Sequence, residues 1–378
     1  MKKVSVVFLR SNPIDPDSRV EKEVNTLIKS GYDVKILAWD RDSKYKINES
    51  YLNLKNGKAK IYRFGIPAKF GAGKKNLKAF LFFQYRILIW LYKHRDEYQI
   101  IHACDFDTAY TAYNCAKIFK KKIIFDIFDY LYTQKNEKTS IFQKYIVYLQ
   151  HKIINFADGT IICTEQRKEQ IGSAKPKKLE VIHNTPLLNH KHLSKLELNQ
   201  HKIKIVYVGI LQDLRFLIEL ADVIKEIPEC ELHIGGFGKY EKYFEQMSYQ
   251  YNNIIYYGKL PYHKTLELEN SCDIMTAIYD PSIGNHYYAA PNKFYESLAL
   301  GKPIIMVKNT GMSELVVKHN IGEVIDYNKD SLKKAIKKLI SRKNEWPTIA
   351  IRMQQIYLKN YRWNEMEQRL INFYEEIV

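Results

Sequence analysis

YDPSIGNHYYAAPNKFYESLALGKPII, residues 279–305, is the stretch whose reading decides the fold. Pro291 suits a first helical turn, Phe294, Leu298 and Ala299 recur on one inward face, and Gly301 with Pro303 ends the helix. The apolar run Ile304-Ile305-Met306-Val307 that follows reads as a buried strand. Loop, helix, turn and strand in this order place the start of the helix in a crevice at the ends of sheet strands.

A helix N-terminus carries unpaired N–H groups and partial positive charge, which suits a phosphate, and Lys293 adds a full charge in that first turn. Glu296 follows three residues later on the same face, one turn deeper, where a carboxylate can accept two hydrogen bonds from vicinal ribose hydroxyls. The spacing fits a nucleoside diphosphate. It fits equally an ordinary helix on which Lys293 and Glu296 form an exposed i,i+3 pair.

The segment Pro291-Asn292-Lys293-Phe294-Tyr295-Glu296-Ser297-Leu298-Ala299-Leu300-Gly301-Lys302-Pro303 also resembles the donor-binding signature of GT-B glycosyltransferases of the large retaining family 4 type. That signature runs Glu, seven residues, Glu. Glu296 stands at the second acid, whereas the first position is Tyr288, which leaves the sugar end of the motif altered and the nucleotide end intact. The resemblance implies an α/β fold of GT-B type: two facing Rossmann-like doubly wound domains, an interdomain cleft and a C-terminal crossing helix.

Size and composition agree with that architecture. At 378 residues, 46% of them hydrophobic, the chain is long enough for two domains of about 150–200 residues each. No window is apolar enough to span a bilayer, and the start MKKVSVVFLRSNP runs into a strand and a loop without a signal-type cleavage site, so residence in the cytoplasm is expected. Five scattered cysteines without a CxxC pair read as reduced core thiols rather than a zinc or disulfide framework. The formal charge of +17 calls for an anionic partner: a sugar nucleotide, a nucleic acid or an anionic membrane face.

The first half reads as β-α-β. Val4–Leu9 is a strand, and the loop after it carries Asp15, Asp17 and Arg19 but no phosphate-gripping glycines. Arg19 is a candidate for donor phosphate or acceptor, or a solvent-exposed charge. KFGAGKKNLKAFLFFQYRILIWLYKHR, residues 69–95, places Lys69, Lys74, Lys75 and Lys78 around the start of a mostly apolar helix over 77–92. Phe80, Phe82, Phe83, Trp90 and Tyr92 on it suit either a domain core or the headgroup level of an anionic membrane. A strand over 99–103 leads to Asp105-Phe106-Asp107, which we read as a loop acid and a helix start rather than a metal-binding triplet. In the family the exit of the next strand resembles Asp-Ser-His-Glu. Here Phe128 takes the His position and Asp129 the Glu position, so Asp129 is a candidate stabiliser of charge on the sugar or an acceptor ligand, and equally a helix-capping Asp.

Residues 1–186 are thus expected as an acceptor-side domain, 187–202 as a linker, 203–360 as the nucleotide-sugar domain, and about 361–378 as the helix returning to the first domain. In the second half, Gly209 to Arg215 stands where family members embrace the donor diphosphate; Ile210 takes the first basic position, and Arg215, at the second, keeps a planar fork suited to phosphate oxygens or is a surface arginine. Gly236 in the GG-x-G turn, which is equally a structural turn, and Lys259 and Leu260 where relatives meet the nucleobase complete the donor set with Pro291, Asn292, Lys293 and Glu296. Lys293, Arg215, Asp105 and Asp129 are the catalytic candidates; Arg19, Asp105 and Asp129 are on the acceptor side. The resemblance implies a metal-independent, retaining hexosyltransferase that needs no cofactor. Its partners would be a UDP- or GDP-linked sugar, a glycan or lipid-linked acceptor and the inner face of a membrane, without nucleic acid. Two other classes stay open: a sugar-nucleotide epimerase on the same fold, and a basic nucleic-acid-binding protein, for which the charge and 29 tyrosines would speak.

Overall fold

The computed structural model describes residues 3–45, 49–69, 73–131, 140–188 and 193–378. They form two compact units, Met1–His183 with Asn364–Val378, and Asn184–Trp363. The first is built on eight strands: β1 (Ser5–Arg10), β2 (Asp33–Asp40), β3 (Glu49–Leu54), β4 (Gly57–Gly65), β5 (Ile100–Cys104), β6 (Lys122–Ile127), β7 (Gly159–Ile162) and β8 (Leu179–Val181). Their spatial order is β3-β4-β2-β1-β5-β6-β7-β8. All neighbours run parallel except β3 against β4, an antiparallel hairpin turning at Lys55-Asn56.

A parallel sheet must be covered on both faces, and its strands are correspondingly apolar throughout. One face meets the helices Leu77–Lys93, Phe106–Phe119 and Ile141–Phe156, whose Phe83, Ile87, Trp90, Ala109, Ala112 and Ile153 pack on Val7, Leu37, Trp39, Ile101 and Phe125. Phe83 and Trp90, two of the aromatics considered for a membrane surface, are therefore core residues, and Phe82 and Tyr92 point outward. The opposite face takes the helices Ser18–Lys29 and Trp363–Ile377. The last helix is tied to this unit: His183 N–H donates to Met366 Sδ at 3.2 Å, Arg369 donates to the Val181 carbonyl at 3.1 Å, and Tyr374 Oη lies 2.7 Å from His102 Nδ1.

The second unit carries β9 (Ile203–Ile210), β10 (Cys230–Phe237), β11 (Ile254–Tyr256), β12 (Ile274–Ala277), β13 (Ile304–Val307) and β14 (Gly322–Ile325). The order is β11-β10-β9-β12-β13-β14, all parallel. The chain winds outward from β9 to β11 and then restarts on the other side of β9, so the switch point lies between β9 and β12, where such sheets open a crevice at their carboxyl ends. Leu188, Leu193, Leu196 and Leu198 pack against this unit's core, and Leu196 N–H donates to Ser271 Oγ at 2.7 Å. The expected linker is thus bound to the second unit through its leucines, and residues 189–192 lie outside the described ones. Among the described residues no helix is long and apolar enough to cross a membrane, and all five cysteines are free and buried.

Candidate active site

The helix Asn292–Leu300 is capped by Pro291 in an extended conformation and stopped by Gly301 in the left-handed one. Its Phe294, Tyr295, Leu298 and Ala299 are buried against β9, β12 and β13, which fixes its first turn at the switch point. Beside it lies a cavity of about 190 Å³ lined by Val208, Gly209, Gly236, Phe237, Lys259, Leu260, Tyr262, Thr265, Asn292, Lys293 and Glu296. Seven of these, Gly209, Gly236, Lys259, Leu260, Asn292, Lys293 and Glu296, are donor residues expected from the sequence.

Two glycines let backbone form the floor. Gly236 is paired with Gly209 across β10 and β9 at φ +135°, and a side chain there would run into the Gly209 carbonyl. A Cβ on Gly209 would sit 2.8 Å from the Lys293 ammonium. Lys293 therefore lies along bare backbone, its Nζ 4.6 Å from the centre of the Tyr207 ring. Burial works against its charge, yet Tyr207, Tyr279, Glu296 and Glu269 hold the ammonium above the ordinary lysine value. Among the described residues Lys293 makes no ion pair within 4 Å. A half-buried cation with no carboxylate within 4 Å among the described residues, in a cavity at a helix N-terminus, is placed to receive an anion from outside.

Glu296 is 3% exposed and accepts a hydrogen bond from Tyr262 Oη at 3.0 Å, so the exposed i,i+3 pair is not what forms. Burial first, and then Glu296, keep the Tyr262 hydroxyl protonated as a donor. Asn292 accepts from Asn184 Nδ2 at 2.7 Å, which fixes its amide. Arg215 does not line the cavity. Its guanidinium lies 3.9 Å over the Tyr279 ring, with Nη1 3.4 Å from His286 Nε2, while His286 Nδ1 donates to the Asp280 carbonyl at 2.7 Å. Arg215 and Lys293 both act on the Tyr207 hydroxyl, which places the two cations around one tyrosine. Tyr288, at the position of the missing first acid, is itself buried.

Glu269, on the helix Tyr262–Ser271, escaped the sequence reading. It is 1% exposed, and neither carboxyl oxygen has a hydrogen-bond partner among the described residues. Burial first, and Glu296 second, push its carboxyl well above the usual carboxylate range, against the pull of Lys293. An acid whose folded value is raised stabilises the fold while protonated and withdraws that stability as pH climbs through the raised value. The melting temperature is therefore expected to decline with rising pH above the ordinary carboxyl range, and Glu269→Gln to flatten the decline. Identical slopes for both proteins in thermal melts across pH would contradict this.

The first unit places its candidates differently. Arg19 is 2% exposed: it pairs with Asp126 at 2.8 Å and Glu23 at 3.0 Å and donates to the Ile182 carbonyl at 2.6 Å. Expected in an open loop, it belongs instead to the interior, because the helix begins at Ser18 and turns Arg19 onto the sheet. Asp105 leaves β5 at φ +63°, a costly conformation for a non-glycine residue. Its carboxylate accepts from Arg10 Nη1 at 2.6 Å and from the backbone N–H groups of Phe128 and Asp129 at 2.8 and 3.0 Å. Asp105 thus ties the β5 and β6 exits together. Asp129 is exposed and accepts from Arg167 Nη2 at 3.1 Å. Phe128, at the family's His position, lies under two guanidinium groups, Arg10 at 4.2 Å and Arg19 at 4.6 Å. His102, Cys104 and Asp126 come close enough to share a metal ion, but Asp126 is already bonded to Arg19, and a second cation against a guanidinium does not suit the group.

A parallel doubly wound sheet whose switch-point cavity joins a cation, a helix N-terminus and a buried carboxylate defines a nucleotide-binding α/β unit. Residues 189–353 match the family described as Glycosyl transferases group 1. No curated protein matches the chain by sequence. Among solved structures, sucrose-phosphate synthase from Thermosynechococcus elongatus superposes with a TM-score of 0.79 at 15% identity, over 99% of this chain and 99% of its own. Anabaena HepE in complex with UDP-glucose gives 0.71 at 13% identity, over 98% and 99%. The catalytic domain of starch synthase IV from Arabidopsis thaliana, bound to ADP and acarbose, gives 0.66 at 12% identity, over 100% and 99%. The second unit carries a group 1 glycosyltransferase domain, and the chain is a glycosyltransferase of the GT-B fold.

Proposed function

We propose that the chain moves a hexose from a UDP- or GDP-linked donor to a hydroxyl of a glycan or lipid-linked acceptor, with retention and without a metal ion. The observation that carries this reading is Lys293, a half-buried ammonium above the Gly209 backbone that makes no ion pair within 4 Å among the described residues. The diphosphate would lie between Lys293 and the N-terminal N–H groups of the helix Asn292–Leu300, and the ribose hydroxyls on Glu296, oriented by Tyr262. Leu260 and Lys259 would border the base. HepE is described with UDP and UDP-glucose, which supports a uridine donor.

In the transfer the bond between the sugar C1 and the diphosphate oxygen breaks, and a bond from C1 to the acceptor oxygen forms on the same face. The acceptor proton passes to the departing phosphate oxygen. Positive charge grows on the sugar and negative charge on the leaving group, so Lys293, the helix N-terminus and Arg215 act where charge develops. Their cations supply the charge a divalent ion would otherwise bring. Asp129, exposed on the first unit, is proposed to meet the acceptor, and Asp105 to position it through the backbone hydrogen bond.

Thermal-shift measurements against UDP-, GDP-, ADP- and CMP-sugars test the reading. A matching donor at a hundred times its Kd is expected to stabilise the protein by about 2.7 kcal/mol. No shift with any sugar nucleotide, together with steeply salt-dependent binding to DNA or RNA, would overturn it. Conversion of donor sugar without acceptor would replace it with an epimerase.

A further inference from the structure

We propose that Tyr207 and Tyr279 are positioning residues for the transfer: their ring faces hold Lys293 and Arg215 where a carboxylate would neutralise them, so both cations meet the donor diphosphate with their charge uncompensated. Tyr207 lies in the carboxyl half of β9 and Tyr279 two residues beyond β12, so the two strands that flank the switch point supply one ring each. Lys293 Nζ is 4.6 Å from the centre of the first ring, and Arg215 Cζ is 3.9 Å from that of the second. Both lie within the reach of a cation over a π face. Among the described residues neither cation makes an ion pair within 4 Å.

The buried guanidinium groups of the first unit are held by acids instead. Arg19 pairs with Asp126 at 2.8 Å and Glu23 at 3.0 Å, and Arg167 with Asp129 at 3.1 Å. A carboxylate at that distance fixes a cation but cancels its charge, and an arriving phosphate would have to compete with it. A ring face attracts the cation through its quadrupole and carries no net charge. Burial, the leading influence on Tyr207, keeps its phenol protonated against the pull of Lys293 and Arg215, so the face it offers stays neutral.

The rings and the loop beside them are fixed in turn. Tyr207 Oη donates to the Ile210 carbonyl at 2.9 Å, and the Tyr279 ring meets His286 edge-on with centroids 5.2 Å apart. Arg215 stands between Leu214 at φ +66° and Phe216 at φ +57°, both costly conformations for residues with a side chain. The Asp280 N–H donates to the Leu214 carbonyl at 3.1 Å, and Phe216 is buried against Tyr327 with ring centroids 4.5 Å apart. Backbone strain is thus held on both sides of the one side chain that lies on Tyr279, as it is where a group is placed for a task. This role deepens the donor reading above and depends on it, because it concerns how the two cations are held rather than whether a nucleotide meets them.

Calorimetric titration of the full chain with UDP and UDP-glucose, or with GDP and GDP-glucose where the wild type prefers guanine, tests the role. The free diphosphate carries the full charge of the leaving group, which the donor sugar does not, so its affinity reads the stabilisation that acts as the bond breaks. Tyr279→Phe is expected to keep that affinity within about twofold and Tyr279→Leu to lower it roughly tenfold, with a smaller loss for the sugar nucleotide. Tyr279→Glu, which offers Arg215 an acid, should lose at least as much as Tyr279→Leu. Tyr207→Phe and Tyr207→Leu should separate in the same way; because Tyr207 is buried, the half-buried Tyr279 carries the test if Tyr207→Leu does not fold. With Lys293→Ala weakened for the diphosphate, wild-type affinity in Tyr279→Leu, equal losses in Tyr279→Phe and Tyr279→Leu, or full affinity in Tyr279→Glu would each overturn the role and leave the donor site standing. Unchanged affinity in Lys293→Ala would remove the donor reading itself, and this role with it.

Discussion

Lys293→Ala is expected to lower kcat/KM by roughly 10²–10³-fold, the loss typical of one preorganised group at developing negative charge. The ammonium is held along the backbone of Gly209 and over Tyr207, with its charge sustained against burial. A diphosphate bound in this cavity would meet an ammonium already in place, so little of the interaction would be spent on reorganisation. The negative charge on the leaving group grows toward the transition state, and most of the loss should fall on kcat rather than on KM. The fold should survive: Lys293 makes no ion pair within 4 Å among the described residues, and Glu296 keeps its hydrogen bond from Tyr262 without it. Lys293→Arg is expected to rescue little, because a planar guanidinium does not reproduce the compact ammonium that lies along Gly209 and over Tyr207. Steady-state kinetics with the matched donor check both, and near-normal turnover of Lys293→Ala would remove Lys293 from the reaction.

Glu296→Ala should act at the other end of the donor and in a different kinetic constant. A carboxylate that accepts from two vicinal hydroxyls contributes about 1.5–3 kcal/mol per charged hydrogen bond, so affinity is expected to drop on the order of 10²-fold or more. A ribose held by Glu296 would be bound alike in ground and transition states, and the loss should therefore appear mainly in KM. Two local consequences follow from the packing. Tyr262 loses its acceptor, and Glu269 loses the carboxylate that helps raise its pKa, so the pH slope of stability should weaken in this variant as well. Donor titrations of wild type and Glu296→Ala measure the first effect, and an unchanged dissociation constant would dismiss Glu296 as the ribose ligand.

Much of the second unit was legible because its signals are local. The proline before Asn292, the glycine and proline closing the helix, and the lysine and glutamate three apart all lie within 13 residues, and the cavity brings Asn292, Lys293 and Glu296 together. Tyr262 and Glu269 were not legible: they reach Glu296 from a different helix, and nothing in their own segment marks a partner some 30 residues away. Arg215 illustrates the limit of motif position, since it reached the neighbourhood of Tyr207 but lies over Tyr279 rather than in the cavity wall. Arg19 failed for another reason. The sequence shows a charge near a strand end, but whether it faces solvent or sheet depends on which residue opens the helix, and Ser18 turns it onto Asp126. Asp105 was correctly placed at a strand exit, while its hydrogen bonds to Phe128 and Asp129 are long-range and follow only from the pairing of β5 with β6. The helix Leu77–Lys93 carried two readings at once because it has two apolar sides, one in the core and one outside.

The most direct test of the donor site is a cycle of binding measurements: the nucleoside diphosphate that binds, and its 2′,3′-dideoxy analogue, each titrated into the wild-type chain and into Glu296→Ala. If Glu296 holds the ribose hydroxyls, the analogue should bind the wild type about 10²-fold more weakly than the parent, and the two should bind Glu296→Ala almost alike. Equal penalties for the analogue in both proteins would show that the hydroxyls lie elsewhere and would contradict the placement of the nucleotide in this cavity.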